Sequence, residues 1–216
     1  MRNLHSAFHQ SLLTSAATTL TARKNGAKYI FMRIKIPGLR RKNTALIVVD
    51  IQERLLPQIF EKERLVENTV RLIRGLNILH IPILVTEQYR KGLGATAPQV
   101  AVAIPGFSPI EKMAFSACGA KGFNSALRAK KIKDVLLCGM EAHVCITQTC
   151  LDLLQDGFQV FVVADAVSSR TPDNRSVGLE RMRDAGASIV SVEMVLFELL
   201  ERCGTDEFKQ ILKLVR

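Results

Sequence analysis

Short runs of consecutive apolar residues alternate along most of this chain with segments whose apolar residues recur at helical spacing. The apolar runs predict six strands, over 45–49, 81–85, about 110–115, 135–138, 160–163 and 188–192. The helical patterns predict helices over 65–79, 123–132, 144–154 and 174–185, with one or two more over 194–202 and 207–215. Because a helix or a long connection separates each strand from the next, the order predicts βαβ units and a parallel sheet.

The predicted strands are continuous runs of Val, Ile and Leu, as in 45–49, and do not alternate between apolar and polar residues. Continuous runs are typical of strands that are covered on both faces. The sequence therefore predicts one α/β domain over 44–216, with a doubly wound, mainly parallel six-stranded sheet of Rossmann-like type and helices on both faces. A chain of 216 residues is long enough for one such domain.

The net charge of +10 is unevenly distributed along the chain. Nine of the 30 Lys and Arg residues precede Asp50, which is the first acidic residue, and this leaves 21 bases against 20 acids in 50–216. A basic nucleic-acid surface requires clustered Lys and Arg with interleaved aromatic residues, and no such pattern continues into the predicted domain. We therefore expect no nucleic-acid partner.

The basic N-terminal extension, 1–43, has three interpretations: a mitochondrial or plastid transit peptide, a segment that precedes the true start at Met32, and, third, a nucleic-acid-binding arm. Segment 1–31 has no acidic residue, seven Ser or Thr and five Ala, a composition typical of a mitochondrial transit peptide, and Leu4, Phe8 and Leu12 are spaced for a short amphipathic turn. Against a transit peptide, only one of the first 22 residues is basic. Met32 would make a reasonable true start, in which case the residues before it would not belong to the protein. The expected location is therefore mitochondrial or cytoplasmic, according to which interpretation holds.

Several common motifs are absent from the sequence. It has no dinucleotide-binding G-x-G-x-x-G, no phosphate-binding G-x-x-x-x-G-K-[ST] and no G-x-S-x-G nucleophile motif. Its four histidines form no metal-ligand pattern, and no apolar run approaches the roughly 18 residues that span a bilayer. The five cysteines are odd in number and include no C-x-x-C pair, which favours free thiols in a reducing compartment. We expect no metal, no cofactor and no membrane segment.

Doubly wound sheets bind ligands at the carboxyl ends of their strands, and this rule identifies candidate chemistry. Cys145 lies near the predicted start of a helix, where the helix dipole would lower the pKa of a thiol and unpaired N–H groups could hold an oxyanion. Asp50 follows the first buried strand and could accept a proton, and Lys112, at the end of another strand, could stabilise negative charge. Together they would suffice for covalent acyl chemistry.

Each of these residues also has a purely structural interpretation. Cys145 could be a core residue, as we expect of Cys138 and Cys150. Asp50 could cap a turn, and Lys112 could be a solvated charge. His143 is a rival base for Cys145, but a separation of two residues near a helix start gives no natural Cys–His geometry. We therefore place His143 in the pocket or on the surface.

Three motifs resemble the isochorismatase-like family of cysteine hydrolases, which also includes nicotinamidases and carbamoylases. They are Val48-Val-Asp-Ile-Gln52, Glu111-Lys112 and the segment from Gly139-Met-Glu-Ala-His-Val-Cys to Thr149. The resemblance covers about 44–200. Segments 86–94 and 165–170 are most similar to the branch called isochorismatase domain-containing proteins.

The resemblance implies a role for each matching residue. Cys145 would be the nucleophile, Asp50 the general base and Lys112 their electrostatic partner. The family also has a non-proline cis peptide bond four residues before the cysteine, here between Met140 and Glu141, which would direct the backbone N–H groups of Glu141 and Cys145 into an oxyanion hole. The resemblance further implies a homo-oligomer.

The sequence departs from the family's metal-binding members. Nicotinamidases carry an Asp-x-His metal motif after the second strand, where this chain has Glu87-Gln88-Tyr89, so neither zinc nor nicotinamide is expected. We expect a small-molecule substrate with an amide or related C–N bond, cleaved through a thioester-type acyl-enzyme. The residues expected to line its pocket are Gln52, Glu87, Tyr89, Phe115 and His143. The alternative is a non-catalytic binding or scaffold protein that retains the hydrolase fold.

Overall fold

The computed structural model describes residues 17–24, 27–34 and 38–216, and for residues before 38 it describes the backbone alone. The chain divides into two compact units, Met1–Gly38 and Leu39–Arg216. The division lies close to the predicted boundary between residues 43 and 44.

The first unit contains an antiparallel pair of strands, β1 (Ala17–Lys24) and β2 (Ala27–Ile34), in which Ala17 lies opposite Ile34. No strand was predicted here. The sequence between the two strands is Asn-Gly, a dipeptide typical of hairpins. The predicted amphipathic turn at Leu4, Phe8 and Leu12 lies outside the described residues.

The second unit alternates strands and helices. Its strands are β3 (Thr44–Val49), β4 (Ile83–Gln88), β5 (Ile110–Lys112), β6 (Asp134–Met140), β7 (Gln159–Ser168) and β8 (Ser188–Val190). Its helices are α1 (Lys62–Ile78), α2 (Arg90–Leu93), α3 (Pro98–Ala103), α4 (Phe123–Ala129), α5 (Thr147–Gln155), α6 (Pro172–Asp184), α7 (Val192–Leu200) and α8 (Asp206–Val215). Within the described part of the chain, no helix is long and apolar enough to cross a membrane.

The six strands form one sheet in the order β5-β4-β3-β6-β7-β8, and every neighbouring pair is parallel. This arrangement confirms the predicted fold class. The chain starts at β3 in the centre, builds one side of the sheet, and then returns to β6 on the other side of β3. The carboxyl ends of β3 and β6 are therefore the point where strand order reverses, which is where such sheets bind ligands.

Both faces of the sheet are buried, because successive residues of a strand point to opposite sides. Leu46 and Val48 of β3 belong to a core formed with α1, α7 and α8. Ile47 and Val49 belong to a second core, formed with α4, α5 and α6. This two-sided burial explains the uninterrupted apolar run in the sequence.

The helix predicted over 144–154 has an unexpected beginning. A π-helical turn, Ala142–Ile146, precedes α5, and Cys145 lies within that turn. The short helices α2 and α3 were not predicted, because each contains too few residues to show a period. The second unit also begins before the predicted domain, since Leu39 is buried and Arg41 forms a paired hydrogen bond with Glu207 of α8.

Gly139 allows the two central strands to approach each other at their carboxyl ends. Its φ is 120°, and a Cβ placed on it would lie 2.1 Å from the carbonyl oxygen of Val49, its partner in β3. A side chain at this position would therefore push β6 away from β3, next to the residues that begin the candidate site.

We predict that Gly139→Ala lowers the free energy of unfolding by about 3 kcal/mol or more, because the new methyl group adds a backbone clash to an unfavourable φ. The matched control is Gly157→Ala, which also changes a glycine of positive φ (85°) but has no heavy atom within 4 Å of the new Cβ. The control should cost only about 1–2 kcal/mol. Urea unfolding measures both, and equal losses would contradict the steric explanation.

Candidate active site

Three of the predicted site residues meet at the carboxyl ends of the central strands. Asp50 directly follows β3, Lys112 ends β5, and Cys145 lies in the turn after β6. All three are buried. These residues were predicted as one group although they are remote in sequence, and the sheet order brings them together.

The Asp50 carboxylate accepts hydrogen bonds on both oxygens. Its Oδ1 accepts from Thr86 Oγ1 at 2.7 Å, and its Oδ2 accepts from Lys112 Nζ at 2.5 Å. The backbone of Asp50 lies in the left-handed region, with φ of 53°, and its N–H donates to the carbonyl oxygen of Thr86. The chain therefore turns sharply at the strand end and holds this carboxylate inside the protein.

Lys112 is enclosed by acceptors. Besides the Asp50 carboxylate, its Nζ donates to the carbonyl oxygens of Ala114 (3.2 Å) and Phe115 (2.8 Å). The side chains of the ion pair are 0% exposed for Lys112 and 1% exposed for Asp50. All three donor hydrogens of the ammonium group thus have an acceptor, which is the condition under which a buried charge is tolerated.

The Cys145 thiol has polar neighbours on three sides. Its hydrogen faces Gln88 Oε1, which lies 3.7 Å from the sulfur. The Asp50 carboxylate and the backbone N–H of Glu141 also lie within hydrogen-bonding range of the sulfur. By contrast, the other two buried cysteines, Cys138 and Cys150, lie in apolar cores, as predicted.

The expected lowering of the Cys145 pKa is wrong. The pKa of the thiol is raised to about 12, chiefly by burial and then by the nearby Asp50 carboxylate, while Lys112 opposes these effects. Burial and the adjacent carboxylate thus outweigh the helix terminus on which the expectation rested. The free site therefore holds a protonated thiol beside a potential base.

The peptide bond between Met140 and Glu141 is cis, as the family resemblance implied. The Glu141 carboxylate turns away from the sulfur and accepts a hydrogen bond from Arg170 Nε at 2.8 Å. Its backbone N–H is thus available to the site while its side chain is fixed elsewhere. The oxyanion-hole roles of Glu141 and Cys145 remain predictions.

Helix α6 packs directly on the turn that carries the thiol. A Cβ on Gly178 would lie 2.9 Å from the carbonyl carbon of Ala142 and 3.0 Å from the backbone nitrogen of His143. Only a residue without a side chain fits at this contact. This role was not predicted, because an isolated glycine within a helix has no distinctive sequence pattern.

Two of the predicted pocket residues hold the surrounding loops in place. Gln52 is buried, its Nε2 donates to the carbonyl oxygens of Gln88 (3.0 Å) and Gly94 (2.7 Å), and its Oε1 accepts from Gln88 N–H. Glu87 is also buried, accepts from both the N–H and the hydroxyl of Thr96, and pairs with Arg90 at 2.6 Å. The polar groups of Gln52 and Glu87 are therefore engaged with the protein itself.

The other three predicted pocket residues lie nearer the surface. Tyr89 and Phe115 are exposed, and the Tyr89 ring lies over Gly92. His143 is half-buried, and its Nδ1 lies 3.0 Å from Ser169 Oγ. A cleft of about 390 Å³ is lined by Tyr89, Arg90, Lys91, Glu111, Lys112 and Met113.

Three further residues contribute to this site without having been predicted to do so, namely Thr86, Gln88 and Arg170. Thr86 and Gln88 lie at the carboxyl end of β4, and Arg170 follows β7. Their residue types gave no further indication, because Thr, Gln and Arg are common in surface loops. Among the described residues, no group of three or more His, Cys, Asp or Glu side chains could hold a metal ion.

The chain is similar to a known protein family and to named members of it. The model of the isochorismatase domain matches residues 44–194. Isochorismatase domain-containing protein 2 from Danio rerio is 39% identical over 180 residues, which cover 83% of this chain and 90% of that protein.

Two solved structures share the fold. The structure described as MAR1 ribonuclease from Caenorhabditis elegans is 38% identical, with a TM-score of 0.77, and the match covers 83% of this chain and 92% of the other. YcaC from Pseudomonas aeruginosa, with hexane-2,5-diol and covalent acrylamide, is 26% identical, with a TM-score of 0.79 and coverage of 84% and 93%.

We predict that Lys112→Met lowers the free energy of unfolding by about 3–5 kcal/mol, because it leaves the Asp50 carboxylate buried without its cation. The double variant Asp50→Asn/Lys112→Met should lose less than Lys112→Met alone, since no buried charge then lacks a partner. Denaturant unfolding of the wild type, both single variants and the double variant measures the coupling. Additive losses would contradict the importance of the pair.

We also predict that Cys145 forms no thiolate below about pH 10, because its pKa is raised to about 12. Ultraviolet thiolate absorbance of the wild type minus that of Cys145→Ser measures this group alone. Asp50→Asn should shift the titration to lower pH, because it removes the negative charge that opposes ionisation. A titration of Cys145 near neutral pH in the wild type would contradict the prediction.

Proposed function

The chain belongs to the isochorismatase-domain family and has the fold of that family's hydrolases, and we propose that it is a cysteine-dependent hydrolase of a small amide or related C–N bond. The observation that carries the proposal is the cluster at the strand ends. A buried carboxylate contacts both the Cys145 thiol and the Lys112 ammonium group. A nucleophile, a base and a fixed cation are thus adjacent, as covalent acyl transfer requires.

The first half of the reaction follows from the protonated state of the thiol. Because no thiolate is present beforehand, Asp50 takes the thiol proton as the sulfur attacks the substrate carbonyl carbon. The carbonyl π electrons move to oxygen as the C–S bond forms. When they return, the C–N bond breaks, the nitrogen receives the proton from Asp50, and ammonia or an amine leaves behind a thioester on Cys145.

In the second half of the reaction Asp50 again accepts a proton and then returns it, this time from water to the sulfur. Water enters where the amine has left, and Asp50 takes one of its protons as the oxygen attacks the thioester carbonyl carbon. The C–S bond then breaks, the sulfur regains a proton from Asp50, and the carboxylic acid leaves. Each turnover therefore consumes one amide and one water and restores the original thiol and carboxylate.

Two fixed groups support these steps. Lys112 contacts the oxygen of Asp50 that is not bound by Thr86, so both oxygens of the base are held in place. The Glu141 N–H, which donates to the sulfur in the free site, lies within reach of an oxygen on an attached acyl carbon. One such donor can lower a barrier by about 3 kcal/mol.

RNA cleavage is a second candidate, and the observation in its favour is the name of the Caenorhabditis elegans structure, MAR1 ribonuclease. That name concerns the other protein. In this chain, 50–216 carries 21 bases and 20 acids, without the excess of positive charge that phosphate binding favours. A non-catalytic scaffold is the remaining alternative, and a homo-oligomer remains an expectation.

We predict that Cys145→Ala lowers turnover of any active amide by about 10⁴-fold or more, because no other group can form the thioester. The melting temperature should change by no more than about 2 °C, since the change removes one small side chain. The measurement is a screen of small amides with detection of released ammonia or amine. The control is Cys203→Ala, which removes an exposed thiol and should keep full activity.

The screen also separates the alternatives. Retained amide turnover in Cys145→Ala would overturn the mechanism. Cleavage of RNA by the wild type, at a rate that Asp50→Asn abolishes, would favour the second candidate. A wild type that cleaves nothing and whose Cys145 resists alkylation would favour a scaffold.

A further inference from the structure

Gln88 lies against the proposed nucleophile, and the mechanism above does not use it. It is the last residue of β4 and pairs with Lys112 of β5. Its side chain is half-buried and places Oε1 3.7 Å from Cys145 Sγ. An uncharged amide therefore borders the sulfur that would carry the acyl group.

The position of Gln88 is fixed by its backbone. Gln52 holds it from both sides, accepting from the Gln88 N–H at 2.8 Å and donating to its carbonyl oxygen at 3.0 Å. The next residue, Tyr89, donates its N–H to the Lys112 carbonyl oxygen. Both backbone polar groups of Gln88 are therefore paired within the protein, and this pairing restricts where its side chain can lie.

The orientation of the Gln88 amide follows from its two neighbours. Nε2, the donor end, lies 3.5 Å from the Met113 carbonyl oxygen, which can only accept. Oε1, the acceptor end, therefore faces the thiol, whose hydrogen is a weak donor. The group presented to the site is an acceptor.

Acylation would remove the hydrogen that faces this acceptor. Once the sulfur has bonded to carbon it has no hydrogen left to donate, and a half-buried acceptor that loses its donor is less favourable than one that gains a new donor. An N–H on the substrate nitrogen could take its place as the sulfur approaches the carbonyl carbon. Esters and tertiary amides have no hydrogen at that position.

We propose that Gln88 is a specificity residue that selects substrates with an N–H on the nitrogen bonded to the attacked carbonyl carbon, that is, primary and singly substituted amides. The inference rests on the proposed function and narrows its substrate class. The acrylamide bound covalently in Pseudomonas aeruginosa YcaC is itself a primary amide.

The test measures Cys145-dependent cleavage of four related reagents by the full chain, each rate being that of the wild type minus that of Cys145→Ala. Propanamide and N-methylpropanamide carry an N–H on the nitrogen bonded to the carbonyl carbon, whereas N,N-dimethylpropanamide and methyl propanoate do not. Each rate is divided by that of hydroxide-catalysed hydrolysis, which removes differences in intrinsic reactivity. The wild type should favour the N–H reagents by about three- to tenfold, the effect of one hydrogen bond. N-methylpropanamide controls for added bulk.

Two variants assign the preference to Gln88. Gln88→Met keeps the length but has no acceptor oxygen, and should lose the preference. Gln88→Glu keeps an acceptor and should retain it, although its charge would slow every reagent. The matched control is Gln99→Met, at an exposed position of α3.

The outcomes separate the inference from the function on which it rests. A reactive Cys145 whose preference is absent, or is unchanged in Gln88→Met, overturns the specificity role and leaves the hydrolase intact. A Cys145 that reacts with no reagent overturns the hydrolase, and the specificity role with it.

Discussion

The contact between Asp50 and Lys112 determines how the other polar groups at the strand ends are arranged. Two opposite charges that are almost completely buried must satisfy each other and every remaining hydrogen-bonding position. Lys112 does so with two backbone carbonyls, and Asp50 does so with Thr86 and lies beside the Cys145 thiol. These partners come from separate strands and turns, so the ion pair links the ends of the sheet into one unit.

The same contact explains why the thiol is protonated at rest. A carboxylate beside a buried sulfur disfavours a second negative charge, and the single cation is already shared with Asp50. A preformed thiolate would require an excess of positively charged groups around the sulfur. Under the proposed mechanism the proton moves during attack, which would make Asp50 as essential as the cysteine.

The sequence was sufficient for the fold and for the identity of the central residues, because both depend on local patterns. Buried parallel strands appear as continuous apolar runs, and strand-end polar residues are conspicuous after them. The pKa of Cys145, the clamp formed by Gln52 and the packing of Gly178 on the thiol-bearing turn depend on distances between segments remote in sequence. No periodicity in the sequence reflects such distances.

Gln52 and Asp50 lie two residues apart on one short segment, yet one holds Gln88 and the other is the proposed base. A change in this segment would disturb both at once, so selection for a new substrate has little freedom there. Tyr89, Met113 and Phe115 are exposed around the same site. Divergence among descendants of such a protein would therefore accumulate on this apolar rim, while the segment beneath it stayed the same.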